Sequence, residues 1–503
     1  MRNHTFTLTA ATSTLLIAGL LLSGCAVAAT TEATTSTETS TAQTAALDWT
    51  LGAEEVLAEN ANATTVNDDE WSMTGAVEIA LAGSTASAGG EGVTVDGSTV
   101  TITAAGTYVL SGELQGQVVV AAGEEDVVAL VLDGASITSQ TTAAISVVSA
   151  DDVVFSLTGS NTLASTGDDA EANATLHSSA DLTIAGTGSL TVTSAANDGI
   201  TSTDDLVVLG GTLTVTAADD GLRGKDSLTI EGGDITVDAG GDALKSENEE
   251  ETDRGFVHLA GGTLDLSAGD DGIQAQTDLV ITGGTTTLTA ADDGLKSEIY
   301  LVVAGGDTTV AGSYEGVESL FVTVTGGTLD VTASDDGVNA TTGTSTTTDV
   351  GGVVEADDGA MITITGGDVT IDSAGDGLDS NGSTMITGGT TTIFGAATDR
   401  EGALDANGTI AVDGGTVLAV GMAGMAETPE SDSEQAWLAA TLTNSYAAGR
   451  TVQVLDASGT VIIEFTSVKA FQSVVLSDAA LEDGASYTVT VDGQRFQFVA
   501  ATR

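Results

Sequence analysis

A short phrase that returns about every 22 residues constrains this 503-residue chain more than any other feature. Between Asn197 and Gly421 an Asp-Gly step followed by Leu, Ile or Val opens each repeat. A short apolar run, a Gly-Gly doublet, a second run and the next acidic step follow. The Asp-Gly steps begin at Asp198, Asp220, Asp271, Asp293, Asp336 and Asp376, with Asp242-Ala243, Glu315-Gly316 and Glu401-Gly402 read as variants. Their intervals are 22, 22, 29, 22, 22, 21, 40 and 25 residues. The two long ones carry polar insertions, Asn248 to Arg254 and about Thr341 to Asp358. A fixed period with a bulge at one point of the repeat is the mark of a solenoid, because an insertion leaves through a loop without disturbing the stacked strands.

The period suits a parallel β-helix better than the helical repeats, which run from about 33 residues upward. Within each repeat apolar and hydroxyl residues alternate, so Leu279 and Ile281 are expected inward and the threonines outward. Leucine-rich repeats have a similar length, but their Leu-x-x-Leu-x-Leu spacing is missing. The expectation is an all-β parallel β-helix of about 22 residues per rung over residues 93–426, closed by a small C-terminal β unit at 427–503. At about 4.8 Å per rung such a coil would be roughly 70 Å long. Residues 45–92 have no clear period. They hold Trp49 and Trp71 and read as a cap over the first rung.

The first 25 residues carry Arg2 and an apolar run from Leu15 to Leu22, too short to span a membrane and shaped like a secretory signal. Leu22-Ser23-Gly24-Cys25 resembles a bacterial lipobox, which implies lipidation of Cys25 and a cell-surface lipoprotein held to the membrane only by that anchor. A plain signal peptide cut near Ala29 is the alternative. Cys25 is the single cysteine, so no disulfide forms within the chain. Residues 26–92 begin as a Thr/Ala/Ser/Glu tether with too little apolar surface to order itself.

The chain carries 73 acidic and 11 basic side chains, a formal charge of −62, which argues against nucleic acid as a partner. In a parallel coil the acidic pairs Asp219-Asp220, Asp270-Asp271, Asp292-Asp293 and Asp335-Asp336 would stack. Like charges about 4.8 Å apart repel by roughly 1 kcal/mol per neighbour even in water. Ca2+, a hard ion satisfied by carboxylate and amide oxygens, is the expected compensating cation. Zinc is disfavoured by three scattered histidines, His4, His177 and His258. Three residues beyond each acidic step runs a second column: Thr201, Arg223, Lys245, Gln274, Lys296, Glu318, Asn339, Asp379 and Asp405. Its basic members, with Lys225 beside them, either neutralise the aspartates or hold the carboxylates of a sugar polymer lying along the coil. The candidate sugar-binding residues are Arg223, Lys225, Lys245, Gln274 and Lys296. On the second reading, Lys245→Glu with Lys296→Glu weakens retention of acidic glycans and leaves the melting temperature nearly unchanged.

The phrases AGSYEGVESLFVTVTGGTLDVTASDDGVNA (Ala311 to Ala340), GDGLDSNGS (Gly375 to Ser383) and REGALDANGTIAVDGGTVLAVGMAGMAETPE (Arg400 to Glu430), with TITAAGTYVLSGEL and ALVLDGASIT upstream, resemble a family of bacterial surface β-helix proteins described as carbohydrate-binding. The resemblance covers nearly all of residues 90–500. It implies a right-handed parallel β-helix similar to polysaccharide lyases, calcium at the acidic turns, and binding of cellulose or acidic sugars such as polygalacturonate. By matching phrase it makes Asp335, Asp336, Asn339, Asp376 and Asp379 metal candidates, beside Asp292 and Asp293 from the stacked pairs. Ala243, in place of glycine, puts the geometry of its turn in question. The expected function is calcium-dependent, non-catalytic binding of an extracellular polysaccharide by a monomer. A calcium-dependent lyase and a calcium-stiffened structural adhesin are the alternatives.

Overall fold

The computed structural model describes residues 47–167, 173–343, 357–431 and 433–501. Asp48–Arg503 form one compact unit. The signal segment, Cys25, the start of the tether and most of the 341–358 insertion lie outside the described residues.

The unit is all-β, with one seven-residue helix, Ala53–Glu59, among the described residues. Each repeat contributes three strands, for example Leu222–Gly224, Ser227–Ile230 and Asp234–Ala239. Each strand pairs in parallel with its equivalent one repeat later: Leu222 with Leu244, Leu228 with Val257, Ile235 with Leu264. The 22-residue beat is therefore the interval at which the chain returns to the same lateral position. Parallel pairing reaches further toward the N-terminus than the sequence reading, since Val77–Gly83 already pairs in parallel with Gly106–Gln115.

The two longer strands of a repeat face outward differently. Six-residue strands such as Thr212–Ala217 alternate exposed and buried, placing Leu213 and Val215 in the core and Thr212, Thr214 and Thr216 outside. Four-residue strands such as Asp205–Val208, Asp278–Ile281 and Tyr300–Val303 are buried on both faces. Leu279 and Ile281 point inward as expected, and Val280 belongs to a separate cluster outside the core. Not every threonine is outward. Thr286, Thr308 and Thr391 stand in register with Leu264, Leu329 and Val369 and are buried, because lateral position within the rung decides the face whatever the residue type.

The outer face of the four-residue strands is covered by residues 48–74, which form a strap along the sheet. Trp49, Leu51, Val56 and Leu57 pack on Val280, Tyr300, Val302 and Phe321. Asn60 Nδ2 donates to Asp278 Oδ2 at 2.7 Å. Further along, the Thr64 amide donates to Asp205 Oδ2 at 2.8 Å and the Val66 amide to Thr183 Oγ1 at 3.0 Å. The strap thus runs from the rung of Tyr300 back to that of Thr183, opposite to the advance of the repeats, and ends with Trp71 against Ala129, Val154 and Ala185.

At the far end Thr416–Gly421 pairs antiparallel with Phe471–Ser477, which also pairs with Trp437–Tyr446. Behind them lies a four-stranded antiparallel sheet. Phe394, Leu418, Val420, Phe471, Val474 and Tyr487 form the joint core, so this segment covers the open edge of the stack.

Candidate functional site

The short strands form a 14-stranded sheet, and the acidic steps form its entry corner. The two acids of the first three pairs part company there, whereas Asp335 and Asp336 are both half-buried. Asp219, Asp270 and Asp292 are exposed, whereas Asp198, Asp220, Asp242, Asp271, Asp293 and Asp376 are buried. The buried ones form a hydrogen-bonded ladder. From Asp198 to Asp271, Oδ1 of each accepts the backbone N–H of the residue one repeat later: Asp220 to Asp198 at 3.2 Å, then Asp242 to Asp220, Asp271 to Asp242 and Asp293 to Asp271 at 2.9 Å each. Asp376 donates to Asp336 at 2.6 Å, and the Gly402 amide donates to Asp376. Backbone donors therefore offset much of the stacked repulsion.

The register corrects one reading. Leu404 pairs with Leu378 and Asp405 with Asp379, so Gly402-Ala403 stands at the acidic step and Glu401 lies one residue before it. The turn at Ala243 is kept with a small stretch. Its bonds to the next rung are 3.1 and 3.3 Å, against 2.8 and 3.1 Å where Gly272 meets the following rung.

The second column stacks as expected, Arg223 on Lys245, then Gln274, Lys296, Glu318, Asn339, Asp379 and Asp405. Its cations are engaged by the ladder. Arg223 Nη1 lies 3.0 Å from Asp198 Oδ2, and its Nη2 lies 2.8 Å from Glu247. Lys245 Nζ sits 2.7 Å from Asp242 Oδ2 and 3.4 Å from Asp220 Oδ2. Lys296 Nζ sits 2.5 Å from Asp293 Oδ2 and 3.8 Å from Asp271 Oδ2. Burial would lower the pKa of both lysines, but the hydrogen bonds and charges of these aspartates raise it overall. Gln274 lies half-buried between the two, and Lys225 lies at the turn beyond Arg223, outside the column. The double charge reversal would place glutamates against buried carboxylates, so the expected insensitivity of the melting temperature is not compatible with this geometry.

From Glu315 onward the column holds no basic residue. Burial pushes the Glu315 carboxyl up to about 8, further raised by Glu318 and Asp293. Burial likewise raises Asp376 to about 8, with Asp336, Asp405 and Asp379 adding to it, and Asp336 to about 6. One oxygen each from Asp293, Glu315 and Glu318 come within 4.8 Å of one another, as do oxygens of Asp270, Asp271 and Asp292. Asn339 Nδ2 donates to Glu315 Oε2 at 2.9 Å, while its buried Oδ1 has no hydrogen-bond partner among the described residues. Such sets of carboxylate and amide oxygens suit a hard divalent cation.

The expected metal candidates thus divide. Asp293 joins Glu315 and Glu318, Asp292 joins the preceding rung, and Asp336 and Asp376 are ladder members with Asp379 beside them. Asp335 is held by Tyr314, whose hydroxyl it binds, pushing that phenol up to about 12. The ring of Tyr314 is 47% exposed at this acidic corner and offers a planar apolar face. Glu315 and Tyr314 were absent from the sequence-derived site. Their signal was the single interval at which Tyr-Glu-Gly replaces Asp-Asp-Gly.

The family described as "Carbohydrate-binding domain-containing protein" matches residues 96–337 and 278–421. A relative of that description from Acetivibrio thermocellus is 36% identical over 135 residues, 25% of this chain. The match spans about half of that relative's own length, 47%. A solved structure of the polysaccharide lyase-like protein from C. thermocellum, a gadolinium derivative, is 31% identical and aligns with a TM-score of 0.40. It covers 50% of this chain and 93% of its own.

Proposed function

The chain belongs to the family of carbohydrate-binding domain-containing proteins, and from that premise we propose that it is a non-catalytic, calcium-dependent binder of an acidic extracellular polysaccharide. The observation that carries the reading is the change along the second column. Rungs up to Lys296 neutralise their own ladder, and rungs from Glu315 to Asp405 gather carboxylates with no basic residue in register. Glu315, Glu318 and Asn339, with Asp293 beside them, would hold one Ca2+. Asp335, Asp336, Asp376 and Asp379 supply further oxygens on the next rungs, and Asp270, Asp271 and Asp292 form a second, more exposed set.

A bound Ca2+ takes six to eight oxygen ligands and can accept those that a sugar carboxylate and hydroxyl provide. Tyr314 gives a face on which a sugar ring can rest. Arg223, Lys225, Lys245, Gln274 and Lys296 border the same path. The charge of Arg223, Lys245 and Lys296 is spent on the ladder, so these three contribute hydrogen bonds more than net attraction. The stack of parallel strands is read as a right-handed parallel β-helix, and Cys25 as the lipid-bearing residue of an exported cell-surface protein.

The lyase alternative needs a basic side chain able to take a proton near the metal. Lys245 and Lys296 have raised pKa values and are pinned by two aspartates each, which makes them poor bases. Incubation of the full chain with polygalacturonate, with and without Ca2+, tests the reading. Calcium-dependent retention without unsaturated product is expected. Release of unsaturated product would establish a lyase, and absence of both retention and product would leave the structural adhesin.

A further inference from the structure

The C-terminal segment covers one open edge of the stack and presents another. Its four-stranded sheet runs in the order Val461–Thr466, Thr451–Leu455, Ser486–Val491, Gln494–Val499. Among the described residues the first of these strands pairs on one side only, with Thr451–Leu455. Val452, Val454, Val489 and Val491 point into the joint core. Phe465 and Ile463 stand in register with Val452 and Val454 and pack on the same core, yet both stay half-buried, because no strand lies beyond them.

The backbone of this strand has a defined outward side. The Arg450 carbonyl accepts from the Ser467 N–H at 3.1 Å, whereas the Thr451 carbonyl accepts from the Asp492 N–H at 3.0 Å, on the opposite flank. Bonding alternates along an antiparallel pair, so Ile463 and Phe465 bond to the neighbouring strand and the N–H and C=O groups of Glu464 and Thr466 point away from the sheet. Exposed edges are ordinarily blunted by Lys, Pro or a bulge. This strand holds neither Lys nor Pro, and its register shift falls beside the hairpin turn, leaving Ile463 to Thr466 regular.

Charge decides which occupant fits. Residues 437–503 carry six acidic and four basic side chains, against 67 and seven in the rest of the chain. The repulsion that favours a monomer therefore resides in the coil, and this near-neutral end is where a second copy meets least opposition. Symmetry then selects the register. Centring an antiparallel pair of these strands on Glu464 opposes two carboxylates, which is unfavourable. Centring it on Thr466 sets Phe465 and Ile463 opposite Ser467 and Lys469, beyond the strand. Centring it on Phe465 sets each Glu464 against Thr466 of the second copy and brings the two Phe465 rings together over the open rim of the core. We propose that the edge of Val461–Thr466 is a two-fold interface at which two copies of the chain pair antiparallel with Phe465 on the axis. The interface is isologous and closed, so assembly stops at two. It stands independently of the polysaccharide reading; where that reading holds, pairing puts two polymer sites on one particle and raises apparent affinity.

The test is sedimentation equilibrium of the full chain in about 0.15 M salt, where charges more than about 8 Å apart are screened, beside two variants at exposed Thr466. The wild-type mass is expected to rise with concentration from 49.6 kDa toward twice that value. Thr466→Glu sets two pairs of like charges across the axis and should weaken pairing roughly fivefold, whereas Thr466→Lys sets two opposite-charge pairs there and should tighten it by a similar factor. Both should keep the wild-type urea midpoint, since the side chain is exposed and only the pairing is altered. A wild-type mass that stays at 49.6 kDa up to about 200 µM, a range that reaches well past micromolar affinity, overturns the interface. Growth beyond two copies overturns the closed pairing. Glu and Lys variants that match wild type, or that shift in the same direction, overturn the register and with it the assignment to this edge.

Discussion

Replacing Lys296 by methionine isolates the electrostatics of the ladder, because methionine keeps most of the side chain's volume and removes its charge. In the native protein Nζ lies 2.5 Å from Asp293 Oδ2 and 3.8 Å from Asp271 Oδ2. Those carboxylates are only 3% and 6% exposed, and Lys296 itself 23%. Removing one partner of a buried pair costs about 3–5 kcal/mol, and the partial exposure of the lysine places this case near about 3 kcal/mol. Hydrogen exchange at the Asp293 and Gly294 amides reads the loss locally. Both amides bond across rungs, Asp293 to Asp271 Oδ1 at 2.9 Å and Gly294 to the Glu315 carbonyl at 2.9 Å. A change of that size corresponds to roughly 100-fold faster exchange at pH near 8. Burial already raises Asp271 to about 7 and Asp293 to about 6, so near pH 5 both carboxyls bind protons and the missing ammonium matters far less. A change below tenfold at pH 8, or a loss as large at pH 5 as at pH 8, would refute the ladder as a charge-compensated structure.

Three further outcomes follow from the same geometry. Asp198, Asp278 and Asp336 have carboxyls raised to about 6 and Asp271 to about 7, so between about pH 4 and 7 the folded chain binds more protons than the unfolded one. In chelator its denaturant midpoint should therefore fall as the pH rises from 5 to 8, the reverse of ordinary acid denaturation. A higher midpoint at pH 8 would contradict this. Gly294→Ala would set a Cβ 2.5 Å from the Gly316 carbonyl oxygen and 2.6 Å from Val310 Cγ1. The stretched bonds at Ala243 show how the chain yields, and a cost of about 1–3 kcal/mol is expected in urea unfolding, with no measurable loss counting against close rung packing. Thr391→Val removes a fully buried hydroxyl that has no hydrogen-bond partner among the described residues and lies between Val369 and Val417. It should stabilise by about 1 kcal/mol, checked by the same unfolding assay, and destabilisation would show that the hydroxyl is satisfied.

The lateral order of the stack was legible in the sequence because it rests on repetition. The register of Leu222 with Leu244, or Arg223 with Lys245, follows from subtracting residue numbers. Pairing of Lys245 and Lys296 with the acid three residues before each was equally open to inspection. What failed to read were features without a period. The strap left its trace only in Val207, Val280 and Val302, apolar residues on the outer face of four-residue strands, which require a cover that the alternation does not name. Glu401 was misplaced by one residue because the repeat before it is lengthened and only strand pairing fixes the phase. Thr308 and Thr391 were read as outward by residue type, whereas their position in the rung places them in the core. Asp220 and Asp271 read as stacked, repelling carboxylates, and only backbone geometry reveals that one oxygen of each accepts an amide of the next rung.

Calorimetric titration of Ca2+ into the full chain, beside a Glu315→Gln/Glu318→Gln variant, bears most directly on the acidic rungs as a cation site. The two substitutions keep the shape of the corner and remove two of the three carboxylates gathered there. Wild type should bind Ca2+ with release of protons at pH near 7, since Glu315 is raised to about 8, and the variant should lose at least roughly tenfold in affinity together with that proton release. Equal affinity and equal proton release in the two proteins would contradict the account.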